Sequence, residues 1–386
     1  MSNMRRLRPL QMLGLRPRAL FEQALVLGFV LLVVYGLAAI TVANLNARGI
    51  KTGFDFLWQS ASLGISESWI PFTPGQDSYG RVLVAGAANT VFVSVLVIGL
   101  ATVLGVAIGL SRLSANWLLS RSAGLYVELI RNIPLPLQLL VWYQILLNLP
   151  SPRQAITWGG AVALSNRGLW LPNLAWDPSH AVWVVAFLVL TVVLVALKHL
   201  ANKSDSRPIV PVARTLMILG VFGLLAISVV SPLRLDLPVL RGFNFQGGMS
   251  LSPELTALVG GLTLYAAAFI AEIVRAGIRS VPAGQWEAAQ ALGLSRRHTL
   301  RLIVMPLSLR LIIPPLASEY LSTIKNSSLA VVIGYPELAS LINTTMSNTG
   351  QPIEGIAILM LAYLTISIPV GMFMNWYNRR AALVVR

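Results

Sequence analysis

Cysteine is absent from all 386 residues, which excludes disulfides, thiolate metal sites, iron–sulfur clusters and cysteine nucleophiles. The absence suits a protein whose loops face both oxidising and reducing water. Charge is scarce too: 11% of residues are Asp, Glu, Lys or Arg, against 56% hydrophobic. A soluble domain is about a quarter charged, so an ordinary water-soluble globule is excluded. The mean hydropathy of +0.73 agrees. Lysine occurs only at Lys51, Lys198, Lys203 and Lys325, and none follows a glycine. No Gly-Lys-Ser/Thr phosphate loop is possible, and the chain cannot hold ATP by that device. His180, His199 and His298 share no ligand spacing with carboxylates, which leaves no metal set. No nucleophile motif surrounds any serine, so an intramembrane enzyme is not expected.

What remains is a series of charge-free runs. Ala24–Ala43, Val82–Ser111, Asn132–Pro152, Pro178–Leu197, Thr215–Leu233, Leu255–Ala271 and Gly355–Asn378 contain no Asp, Glu, Lys or Arg. Each approaches the ~20 residues that cross ~30 Å of hydrocarbon, and a mid-bilayer charge costs ~2.5–3.5 kcal/mol. An eighth apolar segment, Pro306–Tyr335, is interrupted by Glu319 and Lys325. With eight spans and both termini inside, twenty basic residues fall inside and seven outside. That bias follows the positive-inside rule. The net charge of +15 is therefore topological, and a nucleic-acid partner is not expected. The Arg-rich N-terminus precedes an apolar run longer than the ~7–15 residues of a cleavable leader, so it reads as an uncleaved first span. Two outer segments carry tryptophans, Trp58 and Trp69 in one, Trp158, Trp170 and Trp176 in the other. They suit either an interfacial aromatic belt or a docking surface for an external partner.

The inside segment Ser280–Pro306 has helix-hairpin punctuation. Pro282 suits a helix start and Glu287 favours the first-turn dipole. Gly293 supplies a left-handed stop, and Ser295 caps a second helix running to Pro306. Ala288 and Ala289 leave a low surface that another backbone can approach. Trp286 and Glu287-Ala288-Ala289, then Gly293, Ile303 and Met305-Pro306, resemble the coupling (EAA) loop of ABC importer permeases. The family usually has Leu-Pro at the end, so Met305 is a departure.

Further stretches resemble the polar and general L-amino-acid branch of that family. They are Glu128-Leu-Ile-Arg131-Asn-Ile-Pro134-Leu-Pro-Leu-Gln138, Phe269-Ile-Ala-Glu272-Ile-Val-Arg275-Ala-Gly277, Ser165-Asn166-Arg167-Gly168 and Gly242-Phe243-Asn244 with Gly247-Gly248. The resemblance runs from about Tyr79 onward. It implies an all-α integral membrane protein with a five-span core at about 82–111, 123–149, 254–276, 306–335 and 353–376. Three additions would be a first span within 1–78 and inserted spans at about 178–198 and 214–233, with the permease domain at 79–376 and the coupling loop at 280–306. It further implies a transport subunit of the bacterial inner membrane, with no cofactor of its own. Two ATP-binding subunits holding ATP and Mg, a second, paralogous permease chain, a periplasmic amino-acid-binding protein, surrounding lipid and an L-amino-acid substrate would complete the system. The rival reading is a self-sufficient secondary carrier or channel, which would transport small polar solutes in liposomes without an ATPase.

Ionisable groups inside a membrane normally face a cavity or a partner. Glu128 with Arg131, and Glu272 with Arg275, stand three apart and share helix faces, as structural ion pairs or as substrate contacts. In the eighth segment Glu319, Lys325, Asn326, Ser327 and Ser328 could line a substrate path, Glu319 taking an ammonium group and the others a carboxylate. Glu319 could equally bond a neighbouring helix. The two charges lie ~9 Å apart along a helix, so one charge is used, the helix is irregular, or Lys325 sits at the outer mouth.

Overall fold

The computed structural model describes residues 17–47, 49, 52–175 and 234–381. The two expected spans at about 178–198 and 214–233 lie outside the described residues. Among those described, five helices are long and apolar enough to cross a membrane: Phe21–Leu45, Tyr79–Ser111, Pro253–Arg279, Arg296–Ile333 and Pro352–Asn378. They correspond to α1 (Pro17–Ala47), α2 (Tyr79–Ser111), α5 (Pro253–Arg279), the run from α7 (Arg296–Thr299) through α8 (Met305–Asn326) to Ile333, and α10 (Pro352–Ala381). The protein is mostly helical.

The third expected span, at about 123–149, is not one continuous helix. Instead of one helix there are α3 (Trp117–Asn132) and α4 (Leu135–Leu147), separated at Ile133 and Pro134. Proline has no N–H and its ring pushes the preceding residue out of the helical region; Ile133 duly adopts φ −99°, ψ 128°. The carbonyls left open by the break are taken by Gln138, whose Nε2 donates to the Ile130 and Ile133 oxygens, both at 2.8 Å.

The chain forms two units. The first comprises residues 1–88 and 338–366. In it Phe56, Ala61, Leu63, Tyr79 and Val82 pack with Leu341 of α9 (Leu338–Thr349). The Glu354 carboxylate accepts from Gly53 N at 2.7 Å, and Gln351 Nε2 donates to Gly53 O at 3.0 Å. The loop at Gly53 is thus tied to the start of α10.

The second unit comprises residues 89–337 and 367–386. Its largest apolar cluster joins Val93 and Val97 of α2, Leu135 and Leu139 of α4, and Leu255, Leu258 and Leu262 of α5. Close approach depends on glycine: a Cβ at Gly105 would lie 2.7 Å from Ile270 Cβ, and one at Gly109 2.8 Å from Ala271 O. This Gly-xxx-Gly face lets α2 reach the Ala266–Ala268 run of α5. Without a hydrophobic force between helices in lipid, such tight packing supplies the association.

Both expected outer loops of this unit contain strands. β1 (Ile156–Trp158), β2 (Val162–Ser165), β3 (Gly168–Leu171) and β8 (Met249–Leu251) make an antiparallel sheet in the order β1-β2-β3-β8. β4 (Asn173–Ala175) pairs with β5 (Arg234–Asp236), Ala175 opposite Arg234, while β6 (Val239–Arg241) and β7 (Asn244–Gln246) form a hairpin. The strands are three or four residues long, too short for an alternation to stand out. Gly168 has φ +107°, and a Cβ there would come 2.0 Å from Leu251 O. Only glycine fits.

Replacing Gly105 by Val should destabilise the detergent-solubilised chain by about 1–3 kcal/mol through overpacking. Gly99→Val, where no atom lies within 4 Å of the added Cβ, should unfold like the wild type. Thermal unfolding of the pair checks the packing face.

Candidate functional site

The loop after α5 folds as the punctuation requires. α6 (Ala283–Ala291) starts after Pro282, and Gly293 has φ +72°. Leu294 N donates to Ala289 O at 3.1 Å and Gly293 N to Gln290 O at 2.9 Å, the paired bonds of a Schellman stop. No atom lies within 4 Å of a Cβ at Gly293, so conformation rather than space demands the glycine. Ala289 is fully buried and Trp286 half-buried, whereas Glu287 and Ala288 face outward. Leu292, beside the stop, is 78% exposed. The loop has an anchored side and an open side.

Ser295 caps α7 (Arg296–Thr299), accepting from His298 N at 3.5 Å while its Oγ lies 2.7 Å from His298 Nδ1. The second helix does not end at Pro306. A π turn, Leu300–Val304, leads into α8 (Met305–Asn326), followed by a 3₁₀ turn, Ser327–Ile333. The wider turn accommodates a proline that cannot donate and crowds the preceding turn. One helical run therefore joins the loop to the membrane residues expected to matter.

Along that run the five expected side chains diverge. Ser327 Oγ donates to Ile324 O and Ser328 Oγ to Lys325 O, both at 2.7 Å. These hydroxyls serve the change from α to 3₁₀ geometry. Lys325 is exposed and Asn326 half-buried. Glu319 is half-buried, and among the described residues its carboxylate accepts no hydrogen bond. The charge acting on it is that of Arg131, whose guanidinium lies 4.9 Å from the Phe269 ring centroid. Tyr265 lies against Phe269, ring centroids 4.9 Å apart and planes tilted by 45°, and feels both charges. Beside this group lies a cavity of about 390 Å³ bordered by Glu128, Arg131, Asn132, Phe269 and Glu272.

Of the two expected ion pairs, the second forms among the described residues. Glu272 bonds Arg275, Nε to Oε2 at 3.0 Å, and also bonds Arg112. Among the described residues no ion pair joins Glu128 to Arg131, because the Arg131 guanidinium turns to the Phe269 face. Arg112 was legible only as the first charge after the second apolar run. Two other polar contacts carry no local signal: Asn89 Nδ2 donates to Pro336 O at 2.8 Å, and Thr90 Oγ1 to Glu337 Oε2 at 3.3 Å, all within a fully buried cluster.

Residues 101–383 match the family described as binding-protein-dependent transport system inner membrane component. The chain belongs to this family. It is similar to YhdX of Escherichia coli (strain K12), which carries a provisional amino-acid ABC transporter permease name, at 46% identity over 90% of this chain and 89% of that protein. It is also 39% identical to AapQ, a general L-amino acid transport system permease protein of Rhizobium johnstonii, over 96% of this chain and 93% of that one. BztB of Rhodobacter capsulatus, a glutamate/glutamine/aspartate/asparagine transport system permease protein, is 36% identical over 89% and 88%. The 96% match takes in most of the first 78 residues, beyond the limit the motifs alone suggested. As an inner membrane component of such a system, the chain is a multi-pass transport subunit and not an enzyme. Its partners include an ATP-binding subunit and a substrate-binding protein.

Glu272→Gln should remove the charge from one bond to Arg112 and two to Arg275, costing on the order of 1.5–3 kcal/mol. The double variant with Arg112→Gln should lose less than the sum of the singles, since both touch one network. Thermal unfolding of the solubilised chain measures the coupling.

Proposed function

We propose that this chain is the membrane-spanning permease of an ATP-driven importer of L-amino acids. The single observation behind the reading is near-full-length similarity to proteins named as amino-acid permeases, at up to 46% identity. Eight crossings with both termini inside account for the charge bias. The five long helices, the broken α3–α4 pair and two spans between residues 175 and 234 make up that number. The Ala175–Arg234 pairing supports the last two: a chain that leaves and returns on one side crosses an even number of times.

In this reading α6 seats in a groove of the ATP-binding subunit, with Glu287, Ala288 and Leu292 outward and Trp286 and Ala289 holding the loop to its base. Two ATP-binding subunits carry ATP and Mg, a paralogous permease completes the pathway, and an external binding protein delivers the amino acid. Movement of α6 passes through the Gly293 stop into α7 and α8. Glu319 takes the substrate ammonium and Arg131 its carboxylate, with Phe269 and Tyr265 alongside. Two observations support this assignment: the Glu319 carboxylate is open, and the charge opposite it comes from a different helix, which frees the spacing from the ~9 Å between Glu319 and Lys325. The Glu272 network stays structural.

Gly293→Val places a β-branched residue at positive φ, a strain of about 1–3 kcal/mol. The expected outcome is loss of ATPase co-purification and of transport while the spans stay folded. Wild-type behaviour in both assays would remove α6 as the coupling element.

Glu319→Gln keeps the size and removes the charge. A carboxylate–ammonium contact is worth ~1.5–3 kcal/mol, so amino-acid affinity of the solubilised complex, measured without the binding protein, should fall roughly ten- to a hundredfold. Unchanged affinity with intact ATPase binding would make Glu319 structural.

A further inference from the structure

The Glu272 network borders a second cavity that the transport reading does not use. It has a volume of about 620 Å³ and is enclosed by the α2–α3 corner, the first half of α3 and the last turn of α5. Four guanidiniums line it, those of Arg112, Arg121, Arg275 and Arg279, with one carboxylate, Glu128. Glu272, bonded to both Arg112 and Arg275, adds a second carboxylate behind the wall. Four cations against two anions leave a net charge of plus two, and Arg121 and Arg279, both exposed, form no ion pair among the described residues. The cavity is built to receive an anion.

Its rim says which kind. Trp117, Leu118 and Leu125 are 75%, 66% and 56% exposed, an apolar edge beside a basic pocket. A soluble anion needs no such edge, whereas an acyl chain does. Trp at the end of a membrane helix marks the headgroup level. The α3 N-terminus is not the anion site, because the Asn116 side chain already accepts from Leu118 N and Leu119 N at 3.0 and 3.2 Å. The donors are the arginine side chains.

We propose that this cavity holds the headgroup of an anionic phospholipid from the cytoplasmic leaflet, its phosphate on Arg121 and Arg279 and its chains along Trp117, Leu118 and Leu125. The proposal rests on the topology proposed above, which puts residues 112–121 and 275–279 at the cytoplasmic surface. Basic pockets between helices on that side bind anionic headgroups. Occupancy would brace the α2–α3 corner against α5, next to the loop that carries α6.

The test uses the permease complex with its ATP-binding subunits, reconstituted in nanodiscs of equal parts phosphatidylcholine and phosphatidylglycerol, then extracted and weighed by native mass spectrometry. Wild type should retain phosphatidylglycerol over phosphatidylcholine. Arg121→Gln with Arg279→Gln should lower that preference about twenty-five-fold, each arginine near the surface being worth a factor of about five. These two carry the test because neither belongs to the Glu272 network. Equal retention by variant and wild type would overturn the proposal. So would displacement by inorganic phosphate, which would make the pocket a free-anion site. Loss of the ATP-binding subunits with lipid retention unchanged would overturn it too, and identify a protein interface. Ser122→Cys, in a chain without cysteine, separates the topology from the pocket. Labelling by a membrane-impermeant maleimide from the cytoplasmic side alone supports the topology, while labelling from the outside sinks both readings together.

Discussion

In hydrocarbon, a backbone N–H or C=O that leaves the helical ladder has no water to replace its partner. This constraint decides where the helices of this chain can be interrupted and what must accompany each interruption. At Ile133–Pro134 the open carbonyls are met by Gln138. At the change from α8 to the 3₁₀ turn, the hydroxyls of Ser327 and Ser328 take the carbonyls of Ile324 and Lys325. At Leu300–Val304 a π turn spaces the ladder ahead of Pro306. Ser327 and Ser328, singled out by their chemistry for a substrate path, also serve the backbone.

The same economy governs packing. Lipid is as apolar as leucine, so helices associate through close contact and polar links rather than hydrophobic exclusion. Gly105 and Gly109 bring α2 onto the alanine-rich face of α5, and Glu272 adds the ionic link by bonding Arg112 as well as Arg275. Each contact is modest. Together they hold α5 against α2 next to both arginine-lined cavities, so any load on these pockets bears on the same helix.

The continuity from α6 to Glu319 gives the transport reading a mechanical basis. A Schellman stop turns the chain at Gly293, and one helical run extends from Arg296 to Ile333, so in the proposed reading a displacement of α6 would pass along it. A flexible linker there would dissipate movement. The open Glu319 carboxylate on that run, facing the charge of Arg131 from α3, is the kind of group whose surroundings change when the run shifts.

Composition, charge gaps and caps determined much of this protein from sequence alone. Burying or exposing charge in lipid costs enough that apolar runs and arginine placement mark the spans. The stop at Gly293 and the cap at Ser295 are local rules that need no tertiary context. Only the tertiary structure decided that the third run is two helices, that β3 pairs with β8 across about eighty residues of chain, and that the Arg131 guanidinium lies over the Phe269 ring rather than on Glu128. Arg112 and Glu272 are 160 positions apart, and no periodicity reports such a distance. Helix propensity and hydropathy act over a few turns, whereas an ion pair or a strand partner is chosen by whatever the fold brings within a few ångströms.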